Sequence, residues 1–343
     1  MAARAVKHVN GSRFMMAGCR LAVTAELFSL VFALLFVEGA PVPVHLCSAN
    51  RRRFLQVAGA SVLLCGASAE THASEVEDDL VYLLNDTHIG EKHPADSPVP
   101  THLRQVVSEL VTRTRRPAGV IVNGDLALKD GQLGDYRHFA KLIQPLREAK
   151  VETHLTLGNH DHRENFYEVL KDLRLESPAV ESRHISVVET RHANFFLLDS
   201  LQKTMVTPGT LGEQQLKWLE KALDAMKTKP AIVVTHHNPR LGGDPLHFPG
   251  GLIDSEPLWE VIGPRKWVKA YIHGHIHDRG YAEHQGIHIL NTPAISYVAD
   301  ASKSTTGWTT ARLAPGGVTL TTHTTDSEHP WNGQTKQLAW RAG

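Results

Sequence analysis

The feature that most restricts this chain is a repeated alternation. An apolar run breaks at a small cluster of Asp or His residues, and a helical stripe follows. Leu80-Val81-Tyr82-Leu83-Leu84 is continuously apolar, as strands covered on both faces are. Gly119-Val120-Ile121-Val122, the alternating stretch 151–157, and residues 231–235 and 267–272 read as further strands. Between them Leu103, Val106, Val107, Leu110 and Val111 recur at helical spacing, as do Tyr136, Phe139, Ala140, Ile143 and Leu146. A short helix is expected around 166–170. Leu216, Leu219, Leu223 and Met226 form a stripe read as core packing, behind the capping-box candidate Thr210-Leu211-Gly212-Glu213. Residues 185–188 and 194–198 read as paired strands, and 287–290, 308–313 and 318–322 as a closing set. Such alternation predicts one α/β domain over residues 76–343.

Five clusters end five of these runs: Asp86-Thr87-His88, Gly124-Asp125, Gly158-Asn159-His160-Asp161, His236-His237 and Gly274-His275-Ile276-His277. Sites in α/β sheets assemble at the carboxyl ends of strands. If the extended backbone continues, Asp86 and His88 project to one side, and so do His275 and His277. An isolated Asp at such a junction is often a turn cap, and Asp161 reads better as a loop anchor than as a ligand. Composition sharpens the reading. Of 22 histidines, 20 lie beyond Glu70, whereas Cys19, Cys47 and Cys65 all fall in the first 65 residues. The body of the chain therefore has neither disulfides nor thiolate ligands. Its oxygen and nitrogen donors suit Mn, Fe or Zn. Zero formal net charge and no run of Lys or Arg in the body argue against a nucleic-acid-binding surface. Seven candidate ligands exceed what one ion takes, yet only Asp86 and Asp125 carry charge. Two divalent, or mixed-valence, ions then leave a net positive site that attracts a phosphate.

The set D-x-H, G-D, G-N-H-D, H-H and G-H-x-H, in this order, resembles the calcineurin-like metallophosphoesterase superfamily, over about residues 80–278. Asn123-Gly124-Asp125-Leu126, residues 158–163 and Gln214-Gln215-Leu216-Lys217-Trp218-Leu219 are most similar to bacterial class III cyclic-nucleotide phosphodiesterases. The resemblance implies a four-layer fold, two central β-sheets flanked by helices. It implies that Asp86, His88 and His277 hold a first metal, that Asn159, His236 and His275 hold a second, and that Asp125 bridges them. A metal-bridging hydroxide would attack phosphorus in line, with His160 stabilising or protonating the departing oxygen. His237 adjoins a ligand without being one in the family pattern. His162 and Arg163 stand where they could meet substrate or support the ligands from behind. Position 128 departs from two branches: Leu128 replaces the metal-binding tyrosine of purple acid phosphatases and the second aspartate of the protein serine/threonine phosphatases. The expected activity is hydrolysis of a small phosphodiester, cyclic nucleotides being one candidate. The alternatives are an exported phosphomonoesterase or nucleotidase, and a metal-binding protein without turnover. Residues 238–252, rich in Gly and Pro, read as a loop overhanging the metals.

The first 69 residues read as a leader. Asn50-Arg51-Arg52-Arg53-Phe54-Leu55-Gln56 resembles the twin-arginine export signature, with an apolar stretch at 57–64 and the small-x-small site Ala67-Ser68-Ala69 behind it. Export out of the cytoplasm by that machinery is the expectation. Residues 21–37, apolar except for Glu26, sit at the short limit for a membrane span. Residues 1–49 are either an added membrane anchor or sequence upstream of the true start. Nothing in the sequence fixes an oligomeric state.

Overall fold

The computed structural model describes residues 76–242 and 250–343. The leader, the 21–37 stretch and the middle of the 238–252 loop lie outside the described residues. Two six-stranded sheets make the centre. In the first, β1 (Val76–Asn85), β2 (Arg116–Asn123) and β3 (Thr153–Thr156) run parallel. That sheet is extended antiparallel by β10 (Gly307–Ala314), β11 (Gly317–Thr324) and β12 (Thr335–Ala339). In the second, β5 (Asn194–Leu197), β6 (Ala231–Val234), β7 (Val268–His273) and β9 (Ile287–Asn291) run parallel. Antiparallel β4 (Ser186–Glu189) and β8 (Gly280–His284) form its edges.

The apolar runs explain the layering. Along β1, Leu80, Tyr82 and Leu84 face α1 (Pro98–Thr112) and α2 (Leu133–Glu148), while Val81 and Leu83 face the other sheet. In β6 and β7 the same two-residue period sends Ile232, Val234, Ala270 and Ile272 inward. Val233 and Tyr271 face α4 (Glu213–Ala225) and α5 (Ser255–Ile262). Each strand is thus buried on both faces, which is why its sequence shows no polar alternation. At about 1.5–3 kcal/mol per fully buried aliphatic side chain, this inter-sheet layer fixes how the two sheets meet. The result is a helix–sheet–sheet–helix sandwich, as the motifs imply.

Some expectations needed correction. The strand at 287–290 joins the second sheet beside β7, whereas those at 308–313 and 318–322 close the first. β8 and β12 carry no strong period and α5 is only eight residues long, and none of the three is expected from the sequence. The short helix is α3 (Arg163–Val169). The Thr210 capping box does not form. α4 begins at Glu213 after Gly212, whose φ is +78°, and no side chain caps it. Instead the Asp254 carboxylate accepts from Thr210 Oγ1 (2.9 Å) and from the Leu211 and Gly212 amides. A carboxylate from the next helix start outcompetes a local hydroxyl because a charged acceptor makes the stronger bond. Among the described residues no helix is long and apolar enough to cross a membrane.

Candidate metal centre

β1, β2 and β3 of one sheet and β6 and β7 of the other end at the same side of the sandwich. Their register brings Asn85 abreast of Asn123, and Val234 abreast of Ile272. Two buried amides tie these ends together. Asn123 Nδ2 donates to the Thr235 carbonyl (2.8 Å) and its Oδ1 accepts from Thr156 Oγ1 (2.7 Å), so one side chain links three strand ends across both sheets. Asn85 Nδ2 donates to the Thr292 carbonyl (2.9 Å), beyond β9.

The predicted ligands sit immediately past these ends, but not on extended backbone. Asp86, His88, Asp125, His275 and His277 all have positive φ, between 45° and 71°. They are five of the nine non-glycine residues in that region among the described residues. The assumption that each pair projects sideways from a continuing strand is therefore wrong. Three of the five ligand-bearing turns, those of Asp86 and His88, of Asp125, and of His275 and His277, are left-handed instead, a conformation costing about 1–3 kcal/mol per residue and tolerated where function requires it.

These turns bring the side chains together. Asp86, His88, Asp125 and His277 place one potential ligand atom each within 4.8 Å of one another. His88 Nε2 and His277 Nε2 stand 3.0 Å apart, His277 Nε2 lies 3.4 Å from Asp86 Oδ1, and His88 Nε2 lies 3.5 Å from Asp125 Oδ2. His236 Nε2 approaches the same Asp125 oxygen at 3.2 Å, placing that carboxylate between two groups of imidazoles. The second group, His236, His237 and His275, also meets within 4.8 Å. Asn159 sits between residues that touch Asp125. The His160 amide donates to Asp125 Oδ1 (2.8 Å), and a Cβ on Gly158 would come 2.2 Å from that same oxygen. At Gly124, with φ +71°, a Cβ would strike the His236 ring.

Electrostatics fit a pair of cations. His88 Nδ1 donates to the Leu128 carbonyl (3.1 Å), His277 Nδ1 to the Tyr297 carbonyl (2.8 Å), and His236 Nδ1 to the Asn123 carbonyl (3.1 Å). A carbonyl can only accept, so each neutral ring carries its proton on Nδ1 and leaves the Nε2 lone pair facing the cluster. Burial pushes the His88 pKa down to about 4 and the His275 pKa down to about 3, so both are neutral near pH 7. Burial also pulls on His236, but the facing Asp125 carboxylate outweighs it and raises that pKa above the ordinary imidazole value. His237 Nε2 and Asn159 Oδ1 are buried without a hydrogen-bond partner, and His236 Nε2 faces only carboxylate oxygens. Buried polar atoms are normally paired. A cluster of orphaned lone pairs facing two carboxylates is the donor set a divalent cation satisfies, and the His/Asp residues are positioned for a binuclear site.

The neighbours separate into other jobs. Asp161 is fully buried and accepts from the Gly158, Leu126 and Ala127 amides and from Tyr136 Oη, so it anchors the loop as expected. Arg163 commits its guanidinium to buried Asp199, at 2.7 and 2.9 Å, and so supports the loop from behind rather than reaching substrate. His162 caps α3, its Nδ1 accepting from the Asn165 amide (3.3 Å). His237 Nδ1 pairs with Ser200 Oγ at 2.8 Å. His160 is half-buried, its ring 5.0 Å from that of His88, and its Nδ1 donates to the Lys129 carbonyl (2.6 Å). Leu128 lends His88 only its main-chain oxygen, so no tyrosinate or second aspartate stands there. Asp199, the Asn85 and Asn123 struts and Tyr297, whose ring lies 4.3 Å from that of His277, escaped the sequence reading. A groove of about 760 Å³ between α2 and α3, lined by Arg147, Lys150, Leu155 and Leu173, contains none of this chemistry.

Residues 80–279 match the family described as calcineurin-like phosphoesterase. A 3',5'-cyclic adenosine monophosphate phosphodiesterase CpdA from Escherichia coli is 31% identical over 243 residues, covering 70% of this chain and 84% of that protein. A namesake from Vibrio vulnificus is 31% identical over 189 residues, 55% of this chain and just under two thirds (65%) of that protein. Among solved structures, a dimetal phosphatase from Danio rerio superposes with a TM-score of 0.57 at 15% identity, covering 76% of this chain and 99% of that one, a likeness of fold alone. The family match spans more than half of the sequence, and the spacing that carries it is the spacing that closes the cluster in space. The chain belongs to the calcineurin-like phosphoesterase family.

Proposed function

We propose that this chain is a two-metal phosphodiesterase. Asp86, His88 and His277 would hold one ion, Asn159, His236 and His275 the other, and Asp125 both. The observation that carries this reading is the meeting of Asp86, His88, Asp125 and His277, from the ends of strands in two different sheets, within 4.8 Å. Bound there, two divalent ions such as Mn, Fe or Zn supply Lewis acidity and a nucleophilic water at neutral pH. The chain's own residues do the rest. Two carboxylates against two divalent cations leave a positive cradle for a phosphate. The carbonyls of Leu128, Tyr297 and Asn123 lock three imidazoles in the ligating tautomer. His160, its Nδ1–H committed to Lys129, can pass a proton from Nε2 to a departing oxygen only as the doubly protonated ring. The names of the relatives favour a diester, and among diesters a cyclic nucleotide, over a monoester.

Turnover of bis-p-nitrophenyl phosphate against p-nitrophenyl phosphate by Mn-loaded protein tests the proposal. Preference for the diester supports it, preference for the monoester favours a phosphatase or nucleotidase, and no turnover with both metals present removes the enzyme. We further read residues 76–343 as one catalytic unit, supported by the core shared between the sheets. The twin-arginine pattern at 50–56 with its cleavage site at 67–69 supports export of the folded, metal-loaded chain. A mature N-terminus near Glu70 is the expected outcome of sequencing the purified protein, and an intact Met1 contradicts it.

A further inference from the structure

Five large hydrophobic side chains are exposed among the described residues, and three of them border the metal centre. Leu128, 40% exposed, gives its carbonyl to His88; Met205, 47% exposed, donates its amide to the Asn159 carbonyl (2.7 Å); Tyr297, 48% exposed, gives its carbonyl to His277. Met205 sits at φ +66°, so main-chain strain is spent to place an apolar side chain in solvent. Exposed apolar side chains are unremarkable singly, but a group tied to one polar centre marks a binding surface.

Tyr297 is the most developed of the three. Its ring packs on His277 at 4.3 Å and 32°, and lies 5.1 Å from His88. The main chain on both sides is fixed: the Ser296 amide donates to the Asp86 carbonyl (3.2 Å) and the Ala299 amide to the His277 carbonyl (3.3 Å). Its hydroxyl makes no hydrogen bond among the described residues, so a polar handle does not explain its place. What remains is a rigid, half-open aromatic surface beside the phosphate cradle. Flat rings recognise flat groups by stacking, without demanding one hydrogen-bond pattern.

Building on the phosphodiesterase reading, we infer that Tyr297 is the specificity-determining platform for a planar aromatic group, a nucleobase or aryl ring, attached to the scissile phosphate. The substrates are then diesters bearing such a ring rather than purely aliphatic ones such as glycerophosphoethanolamine.

The test compares wild type with Y297A, Y297F and Y297W. The kcat/KM ratio for 3',5'-cyclic AMP over glycerophosphoethanolamine should fall about tenfold in Y297A, the low end of what stacking contributes per base. It should return in Y297F and Y297W. A ratio unchanged in Y297A, or one that Y297F fails to restore, overturns the platform. A binding measurement is independent of turnover. Calorimetry on Mn-loaded protein should show AMP bound about tenfold tighter than ribose 5-phosphate in wild type, and equally in Y297A. Equal affinities in wild type overturn the inference even if diesters are cleaved. A clear preference for AMP without any diester turnover upholds the platform while removing the phosphodiesterase reading.

Discussion

Four aspartates in this molecule are equally hidden from solvent and do opposite things. Asp161 and Asp199 are buried and fully answered. The first has three amides and a phenol, and the second has the Arg163 fork together with the His184 and Leu201 amides. Asp86 and Asp125 are buried too, yet besides the amides of His275 and His160 they meet only imidazoles. Their remaining oxygens face imidazole Nε2 atoms that have no proton to give when neutral. Burial alone thus says little about role. What separates an anchor from a ligand is whether the surrounding protein has already supplied the hydrogen bonds.

The largest test of that contrast is Asp125→Asn. Turnover should fall on the order of 10³-fold, as when a preorganised charge is removed from a reacting centre, with metal content below two per chain. The metal-free protein should melt close to wild type, because the asparagine still accepts from His160. A large loss of apo stability would break the contrast. Asp199→Ala should do the reverse. It leaves the partly exposed Arg163 guanidinium and the His184 and Leu201 amides without their acceptor and should cost about 1–3 kcal/mol in denaturant unfolding, while the fraction that folds still takes up two metals. Gly158→Ala comes next. Its Cβ would press on Asp125 Oδ1, the Asp125 main-chain nitrogen and the His236 ring, so metal affinity should drop about 10- to 100-fold, the scale of a disturbed ligand support, and the apo protein should lose about 1–3 kcal/mol to overpacking. The smallest effect is on pH. His236 is held protonated below a raised pKa, and metal binding requires its neutral form. Apparent affinity should therefore rise with pH, by about tenfold per unit for one displaced proton, and level off above that pKa. Equal affinity at about pH 6 and about pH 8, either side of the ordinary imidazole value, would show that Asp125 does not hold a proton on His236.

Much of the fold was legible because both-face burial leaves an unmistakable mark: the runs at 80–84, 119–122 and 231–235 could hardly be anything but central strands. Edge elements such as β8 and β12 left no such mark, since none of their residues is buried. The candidate ligands were legible for a different reason, as Asp and His clustered where those runs stop. Asp199 also follows an apolar run, at 194–198, so the same signal was present. Its meaning was not, because the groups that answer it, Arg163 and His184, come from elsewhere in the chain. Tyr297 carried no motif at all. Only the return of the chain after β9 along Asp86 and His277 brings it over the centre. Left-handed turns at five candidate ligands were also invisible, since nothing in Asp or His at those positions demands positive φ as a glycine would.

The central claim is that two ions share Asp125, and anomalous diffraction from Mn-loaded crystals tests it most directly. The account predicts two peaks about 3.5–4 Å apart, the spacing of two-metal sites. One should lie among Asp86, His88 and His277, and the other among Asn159, His236 and His275. A single peak, or a second ion held by His237 in place of Asn159 and detached from Asp125, would contradict it.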